Sequence, residues 1–162
     1  MLVQIQSKIQ NWQTAANTVH NWQRLEQKVV FTNGCFDLLH YGHLHYLAEA
    51  RSLGDRLVIG LNATESVRRL KGKHRPIHDV QTRRMMLAAL IFVDLVVEFS
   101  EDTPFELIKL IQPNLLVKGG DYQIENIVGA DIVTANGGIV KTLPFIKGYS
   151  TTKIEEKIKK QY

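Results

Sequence analysis

From residue 28 onward, apolar runs of strand length alternate with stretches of helical period, the pattern of βα units wound into a parallel sheet. Five runs predict strands: KVVFT (28–32), RLVIGLN (56–62), LVVEF (95–99), LLVKG (115–119) and IVKTL (139–143). Each is rich enough in β-branched residues or leucine to be buried on both faces. Helices are predicted between and after them, over His43–Leu53, Thr64–Leu70, Val80–Phe92, Pro104–Gln112, roughly 126–136, and Thr151–Lys160. Thr103 can cap one of these, with Pro104 at the first helical position and Glu106 three residues after the cap, while Gly54 and Gly137 follow helices as C-terminal glycines do. The pattern predicts an α/β fold built on a doubly wound five-stranded parallel sheet.

The first 27 residues read differently, with no strand signal, many glutamines, and Ile5, Ile9, Trp12, Ala16 and Val19 spaced as one helical stripe. An N-terminal helical extension over 1–27 is therefore expected to precede a domain over 28–162. The stripe can pack on that domain. Because Trp12 and Trp22 are costly to leave in water, it can instead form a self-association surface, and a homo-oligomer, dimer or higher, is expected.

Composition narrows the classes. A chain of 162 residues, 44% of them hydrophobic, is long enough for one full core. It has no run long enough to span a membrane and no signal-peptide block at its start, so a cytoplasmic protein with no membrane partner is expected. Cys35 is the only cysteine, which excludes an intrachain disulfide and any multi-cysteine zinc site. The net charge of +4 is carried largely by the tail KIEEKIKK and by residues near glycines and prolines, which suits a small phosphorylated ligand better than a nucleic acid.

One stretch concentrates chemistry. FTNGCFDLLHYGHLHYL (31–47) begins where the first strand ends, and in a parallel sheet ligands bind outside the carboxyl ends of strands. Gly34 and Gly42 allow tight turns or close approach by a ligand, and the helix that follows presents unpaired N–H groups and a positive dipole end to a phosphate. His40 and His43 would flank that anion and stabilise charge as it builds on a phosphoryl oxygen, without covalent chemistry. A metal pair is the competing reading of these two residues, but no third ligand has matching spacing and no metal site is expected. His45, His20, His74 and His78 read as surface or packing residues.

GCFDLLHYGH resembles the H-x-G-H signature of the nucleotidyltransferase superfamily, whose members join a nucleotide to a phosphorylated small molecule and release pyrophosphate. GYSTTKIEEKI (148–158) is similar to the superfamily's second signature, a serine/threonine-rich helix start. The residues alone show hydroxyls of Ser150, Thr151 and Thr152 at a helix N-terminus, with Thr152 and Glu155 at capping-box spacing. FTNGCFD, GLNATESVRRLKGKHRPI, EDTPFELI, LLVKGGDY, IVGADIV and GYSTT, taken in order, resemble one family, the D-glycero-β-D-manno-heptose 1-phosphate adenylyltransferases, which make ADP-heptose for lipopolysaccharide cores. In many members this domain is fused to a sugar kinase; here the N-terminal helical segment stands in its place, as in the stand-alone versions.

The resemblance implies a Rossmann-like nucleotidyltransferase fold and a set of roles. Thr32, Asn33, Gly34 and Phe36 would lie along the nucleotide triphosphate, with Gly42 at the helix start and His40 and His43 at the reaction centre. Lys71 would reach the acceptor's phosphate or the α-phosphate. Arg75 and Arg83 have fork-shaped donors suited to phosphate, with Arg83 the better match to the family's nucleotide-binding position. Asn62 and Lys118 end strands and face the same crevice. Gly119 and Gly120 permit close approach to a base or ribose, and Asp121 could accept from hydroxyls. Asp37 could orient a histidine, sit near the acceptor or help position hydrated Mg²⁺. The implied substrates are ATP and a sugar 1-phosphate, with Mg²⁺ arriving on the triphosphate. The alternatives are a cytidylyltransferase for glycerol phosphate, a nucleotide-binding regulatory module without turnover, and an RNA-binding domain related to class I aminoacyl-tRNA synthetases, which the short length disfavours.

Overall fold

The computed structural model describes residues 1–161. Its strands are Ile9–Gln10 (β1), Val29–Gly34 (β2), Arg56–Asn62 (β3), Leu95–Phe99 (β4), Leu115–Gly119 (β5) and Ile139–Leu143 (β6). Its α-helices are Leu2–Gln6 (α1), Trp12–Arg24 (α2), Tyr41–Arg51 (α3), Thr64–Lys71 (α4), Val80–Ala88 (α5), Phe105–Ile111 (α6), Ala130–Ala135 (α7) and Thr151–Gln161 (α8). The strands form one parallel sheet in the order β1-β4-β3-β2-β5-β6. Among the described residues no helix is long and apolar enough to cross a membrane.

The central strands β2 to β5 are largely buried on both faces, which is why they read as apolar runs, whereas β6 at the edge leaves Ile139 and Lys141 exposed. On β3, Val58 joins one core with Ala15 and Val19 of α2 and Leu107 and Ile108 of α6. Its neighbours Leu57, Ile59 and Leu61 join the opposite core with Leu47 of α3 and Leu87 of α5. The last four predicted strands have the predicted bounds; the first runs on to Gly34, because Asn33 and Gly34 pair with Gly60 and Leu61 of β3.

The N-terminal segment is not one helix. Asn11 interrupts it, its side chain accepting from the Thr14 N–H at 2.9 Å to start α2, and Ile9–Gln10 pairs with Val96–Val97 as a sixth, edge strand. The spacing of Ile5, Ile9 and Trp12 therefore crosses two element boundaries, and only Ala16 and Val19 continue on one buried helical face. Trp12 and Trp22 pack against the core, the Trp12 indole N–H donates to the Glu98 carbonyl at 2.7 Å, and the Arg56 guanidinium lies 4.9 Å from the Trp22 ring centroid. The two tryptophans that motivated a self-association surface thus have intramolecular partners.

Other boundaries move for local reasons. α6 begins at Phe105 after Pro104, without a side-chain cap from Thr103. The predicted helix over 126–136 divides into a 3₁₀ turn at Ile124–Asn126 and α7, separated by Gly129 at φ +85°. Gly137 follows α7 at φ +76°, as a C-terminal glycine does, whereas Gly54 serves close approach: a Cβ there would lie 2.7 Å from the Lys28 carbonyl.

Trp12→Ala should remove both buried area and the bond to Glu98, lowering stability by about 2–4 kcal/mol in urea unfolding. Leu25→Ala, at a side chain left 72% exposed, should stay within about 0.5 kcal/mol of the parent. Equal midpoints for the two variants would mean that the segment is not part of the core.

Candidate active site

A cleft of about 1170 Å³ opens at the carboxyl ends of β2 and β5, where β3 and β4 continue the sheet one way and β6 the other. This reversal is where a doubly wound sheet leaves a crevice. The turn after β2 forms its floor. There Phe36 is held at φ +43°, uncommon for a bulky residue, with its ring edge-on to His43 at 5.4 Å.

α3 begins immediately afterwards. His40 occupies its N-cap position without a side-chain cap bond, unlike α2 and α5, which Asn11 and Asp79 cap. The Tyr41 and Gly42 amides and the positive dipole end are therefore left for an anion, while the His43 N–H donates to the His40 carbonyl at 2.9 Å. The His40 and His43 rings stack with centroids 3.8 Å apart, and His43 lines the cleft. Burial, reinforced by the neighbouring His40, pushes His43 down to about 4. Burial also lowers His40. At neutral pH the pair is uncharged, so each ring can offer one N–H. Each leaves its Nδ1 buried without a partner among the described residues, the kind of orphan that structures retain at functional sites. His45, exposed and 3.8 Å from Glu49, faces elsewhere.

α8 forms another wall. Ser150 Oγ accepts from the Lys153 N–H at 3.2 Å and so caps the helix, while Thr151 and Thr152 line the cleft. The expected Thr152–Glu155 capping box is replaced by this arrangement, and Glu155 pairs with the Arg75 guanidinium. Gly42 lies beneath the start of this wall; a Cβ there would sit 3.2 Å from the Tyr149 Cβ and 3.1 Å from His40 Nδ1.

The cleft's cationic side carries Lys71, exposed at the end of α4, with His74 and Arg75 beyond it. Arg75 is already engaged: its Nε lies 2.7 Å from Asp37 Oδ2. Asp37, 3% exposed, also accepts from the Ile77 and His78 N–H groups at 2.8 Å. Its carboxylate thus orders the 75–78 loop from beneath. On the β5 side, Lys118 Nζ approaches Asn33 Oδ1 at 3.5 Å, and burial pushes its ammonium below the ordinary lysine range. Asn33, Gly34, Asn62 and Gly119 line the cleft, with the Asn62 amide donating to Ser66 Oγ at 2.9 Å. Cys35 lines it too, and burial pushes its thiol up, away from the thiolate a nucleophile requires.

Six expected site residues are not among those lining the cleft: His40 stacks on His43, Gly42 and Ser150 sit at helix starts as described, and Arg83, Thr32 and Asp121 lie elsewhere. Arg83 is fully buried beneath the site: Nη1 donates to the carbonyls of Cys35 at 3.0 Å and Asn62 at 2.7 Å, and Nε to that of His78 at 3.3 Å. It holds the loops together and does not line the cleft. Thr32 is likewise buried, its hydroxyl 2.6 Å from the Tyr46 hydroxyl, which donates on to the Val117 carbonyl at 3.2 Å. Asp121 is exposed outside the cleft. Sequence reasoning missed Tyr46, Tyr122, Phe145 and Glu155 as cleft residues. Tyr46 follows His43 by three on the same helical face and was findable; Phe145 carries no local signal.

Comparison with known proteins accords with this geometry. Residues 31–157 match the family model described as cytidylyltransferase-like. The chain belongs to the cytidylyltransferase-like family. This nucleotidyltransferase is 52% identical over 156 residues to the bifunctional protein HldE of Citrifermentans bemidjiense, covering 96% of the chain and 32% of that relative. To the protein of the same name from Actinobacillus pleuropneumoniae it is 58% identical over 132 residues, 82% of the chain and 28% of the relative. It therefore spans about a third of the length of these curated relatives. Among solved structures it resembles the lipopolysaccharide core biosynthesis protein of Thermoplasma volcanium, at 30% identity and TM-score 0.59, over 76% of the chain and 99% of that protein. The pantoate-β-alanine ligase of Francisella tularensis, at 16% identity and TM-score 0.61 over 93% of the chain and 76% of its own, shares the fold.

Two outcomes follow for the site's construction. Folded His43 titrates near 4 against 6.5 for an ordinary histidine, so between those values the unfolded chain binds more protons and stability falls as pH is lowered. His43→Gln should flatten the slope of urea midpoint against pH across that window; an unchanged slope would show that folding does not lower the His43 pKa. Arg83→Met should orphan three carbonyls and cost about 3 kcal/mol or more. An equilibrium unfolding curve like the parent's would remove Arg83 from its structural role.

Proposed function

We propose that this nucleotidyltransferase joins AMP from ATP to D-glycero-β-D-manno-heptose 1-phosphate, giving ADP-heptose and pyrophosphate. The observation that carries the reading is the neutral stacked histidine pair at the uncapped start of α3, with His43 lining a cleft whose other wall is the threonine-bearing start of α8. Two helix N-termini with hydroxyls and imidazole N–H groups suit a triphosphate better than any carboxylate-lined site would. The heptose acceptor is supported by the family resemblance of the sequence blocks and by the similarity to the HldE proteins.

An oxygen of the sugar phosphate attacks the α-phosphorus in line. The new P–O bond forms as the bond from the α-phosphorus to the bridging oxygen breaks, and pyrophosphate leaves with that electron pair. No general base is required, because a phosphate monoester is already an anion at neutral pH. His43 and His40 stabilise charge on the transferred phosphoryl oxygens by hydrogen bonding, and Lys71 and Lys118 compensate it from either side of the cleft. Thr151 and Thr152, with the α8 amides, hold the departing phosphates. Mg²⁺ is proposed to enter on the triphosphate and neutralise part of its charge; the described residues gather no group of three His, Cys, Asp or Glu that would hold an ion by themselves. A cytoplasmic location is part of the proposal, in keeping with a reaction that would draw on ATP and a sugar phosphate.

Pyrophosphate release tests the reading, run over ATP and CTP with heptose 1-phosphate, glycerol phosphate and no acceptor. Release that requires ATP and the heptose phosphate together is expected; release with CTP and glycerol phosphate would transfer the assignment to a cytidylyltransferase. His43→Ala should lower kcat about 10²-fold or more with a much smaller change in ATP affinity, and His45→Ala should be nearly silent. Near-normal kcat in His43→Ala would take that residue out of the mechanism.

A further inference from the structure

The two ends of the cleft differ in chemistry. On the β3 side lie Lys71, His74 and Arg75; on the β5–β6 side lie two aromatic rings, Tyr122 and Phe145, that are 50% and 66% exposed. Such large exposed rings at a cleft wall need an explanation that core packing does not provide. Phe145 belongs to the connection between β6 and α8, yet it is folded back over the end of β5. A Cβ at Gly119 would lie 2.6 Å from its ring, and one at Gly120 would lie 3.0 Å from it. The two glycines, Gly120 at φ +109°, are therefore required by the ring that rests on them. The backbone at Gly119 and Gly120 thus supports Phe145 at the mouth of the cleft.

We infer that Phe145 is the platform on which the nucleobase stacks. The inference rests on the nucleotidyl-transfer reading and adds to it the end of the cleft that takes the base, together with the residue that binds it. An elongated substrate with its phosphates at the α3 and α8 starts must send its remaining parts in opposite directions. A phosphorylated sugar suits the cationic end. A planar, weakly polar base suits the aromatic one, because every base has a π-face that an aromatic ring can cover regardless of hydrogen-bonding pattern. Lys118 marks the boundary between the two zones, its Nζ 6.0 Å from the Tyr122 centroid and 3.5 Å from Asn33 Oδ1, beside the phosphate-binding turn. Phe145 is held in place by contact with glycine backbone, so little ordering is left to be done when a base arrives.

The test separates base from phosphate. Dissociation constants for ATP, AMP and inorganic tripolyphosphate are measured by calorimetry on the full chain, for the parent, Phe145→Ala and Phe145→Trp, with unfolding midpoints alongside. In Phe145→Ala, ATP and AMP should bind about 5- to 100-fold more weakly, the range for loss of one base-stacking ring, while tripolyphosphate changes less than about twofold. Phe145→Trp should restore most of the loss. Unchanged ATP binding in Phe145→Ala, or an equal loss for tripolyphosphate, overturns the inference and leaves the nucleotidyl-transfer reading standing. A parent protein that binds neither ATP nor tripolyphosphate overturns both. Because the comparison is between ligands on the same variant, a general loss of folding would appear in all three constants and in the midpoint, and it too would count against a base-specific role.

Discussion

The Arg83 guanidinium, buried where three chain segments meet, sets the geometry of the whole strand-end cleft. Parallel strands end in carbonyls whose ladder partners have run out, and buried carbonyls must be paired. Arg83 reaches the ends of two of these segments, at Cys35 after β2 and Asn62 in β3, and joins them to His78 in the connection between α4 and α5. A lysine could not do the same, because its single ammonium lacks the rigid fork that spans two carbonyls from one nitrogen and a third from another. Asp37 completes the arrangement with opposite polarity. Where Arg83 collects carbonyls, Asp37 collects amides, those of Ile77 and His78. One buried cation and one buried anion thereby fix the loops that border the site, and the charge of Asp37 favours the charged form of Arg83 against its burial.

This division leaves the reacting region with a restrained electrostatic character. Its two histidines are neutral at physiological pH, since burial and mutual proximity disfavour protonation. Neutral rings stacked at 3.8 Å avoid the repulsion of two imidazolium ions, yet each keeps a donor for a phosphoryl oxygen. Net positive charge comes instead from Lys71 and Lys118 on opposite sides and from two helix ends. In the proposed reaction a highly charged triphosphate would be met by dispersed, partly preorganised donors, so that stabilisation would follow charge as it shifts from the α-phosphate to the leaving pyrophosphate.

Sequence patterning resolved the sheet well and the side-chain roles less well, for separate reasons. β3 to β5 were legible because strands buried on both faces can only be apolar runs, and β6, exposed at Ile139 and Lys141, was legible from its β-branched residues. β1 was not, since two residues at a sheet edge carry no periodicity, and Ile5, Ile9 and Trp12 imitate one helical face across a helix, a strand and a second helix. At the site, chain position brings His43, Asn33, Lys118 and Thr152 to the cleft, because the ends of parallel strands and the starts of following helices converge by topology. Topology does not say whether a side chain is spent on the protein itself. Arg83, Thr32 and Asp37 stand at the right place in the chain, but they bond to the protein itself: Arg83 through Nε and Nη1 to backbone carbonyls, Thr32 to Tyr46, and Asp37 to backbone amides and Arg75. Capping chemistry shows the same ambiguity: both Ser150 and Thr152 have suitable spacing, and the choice of Ser150 frees Glu155 for Arg75.

That last pairing explains how the C-terminal helix is attached. α8 is strongly polar, and much of its surface faces solvent or the cleft, so apolar burial contributes little to its position. It is located at its start, where Ser150 caps it and the Tyr149 ring meets Tyr41 of α3 at 5.0 Å, and again one turn later by Glu155 on Arg75. Arg75 is in turn held by Asp37, whose side chain is 2% exposed. A continuous line of alternating charge therefore runs from the turn after β2, through the 75–78 loop, to α8. With Arg75 only 18% and Glu155 28% exposed, these ions are less screened than an ordinary surface pair. The helix N-termini of α3 and α8 are thus kept at a fixed separation by partly buried charge and one aromatic contact. In the proposed reaction, nucleotidyl transfer between oxygens held at both helices would depend on that separation more directly than on any single donor.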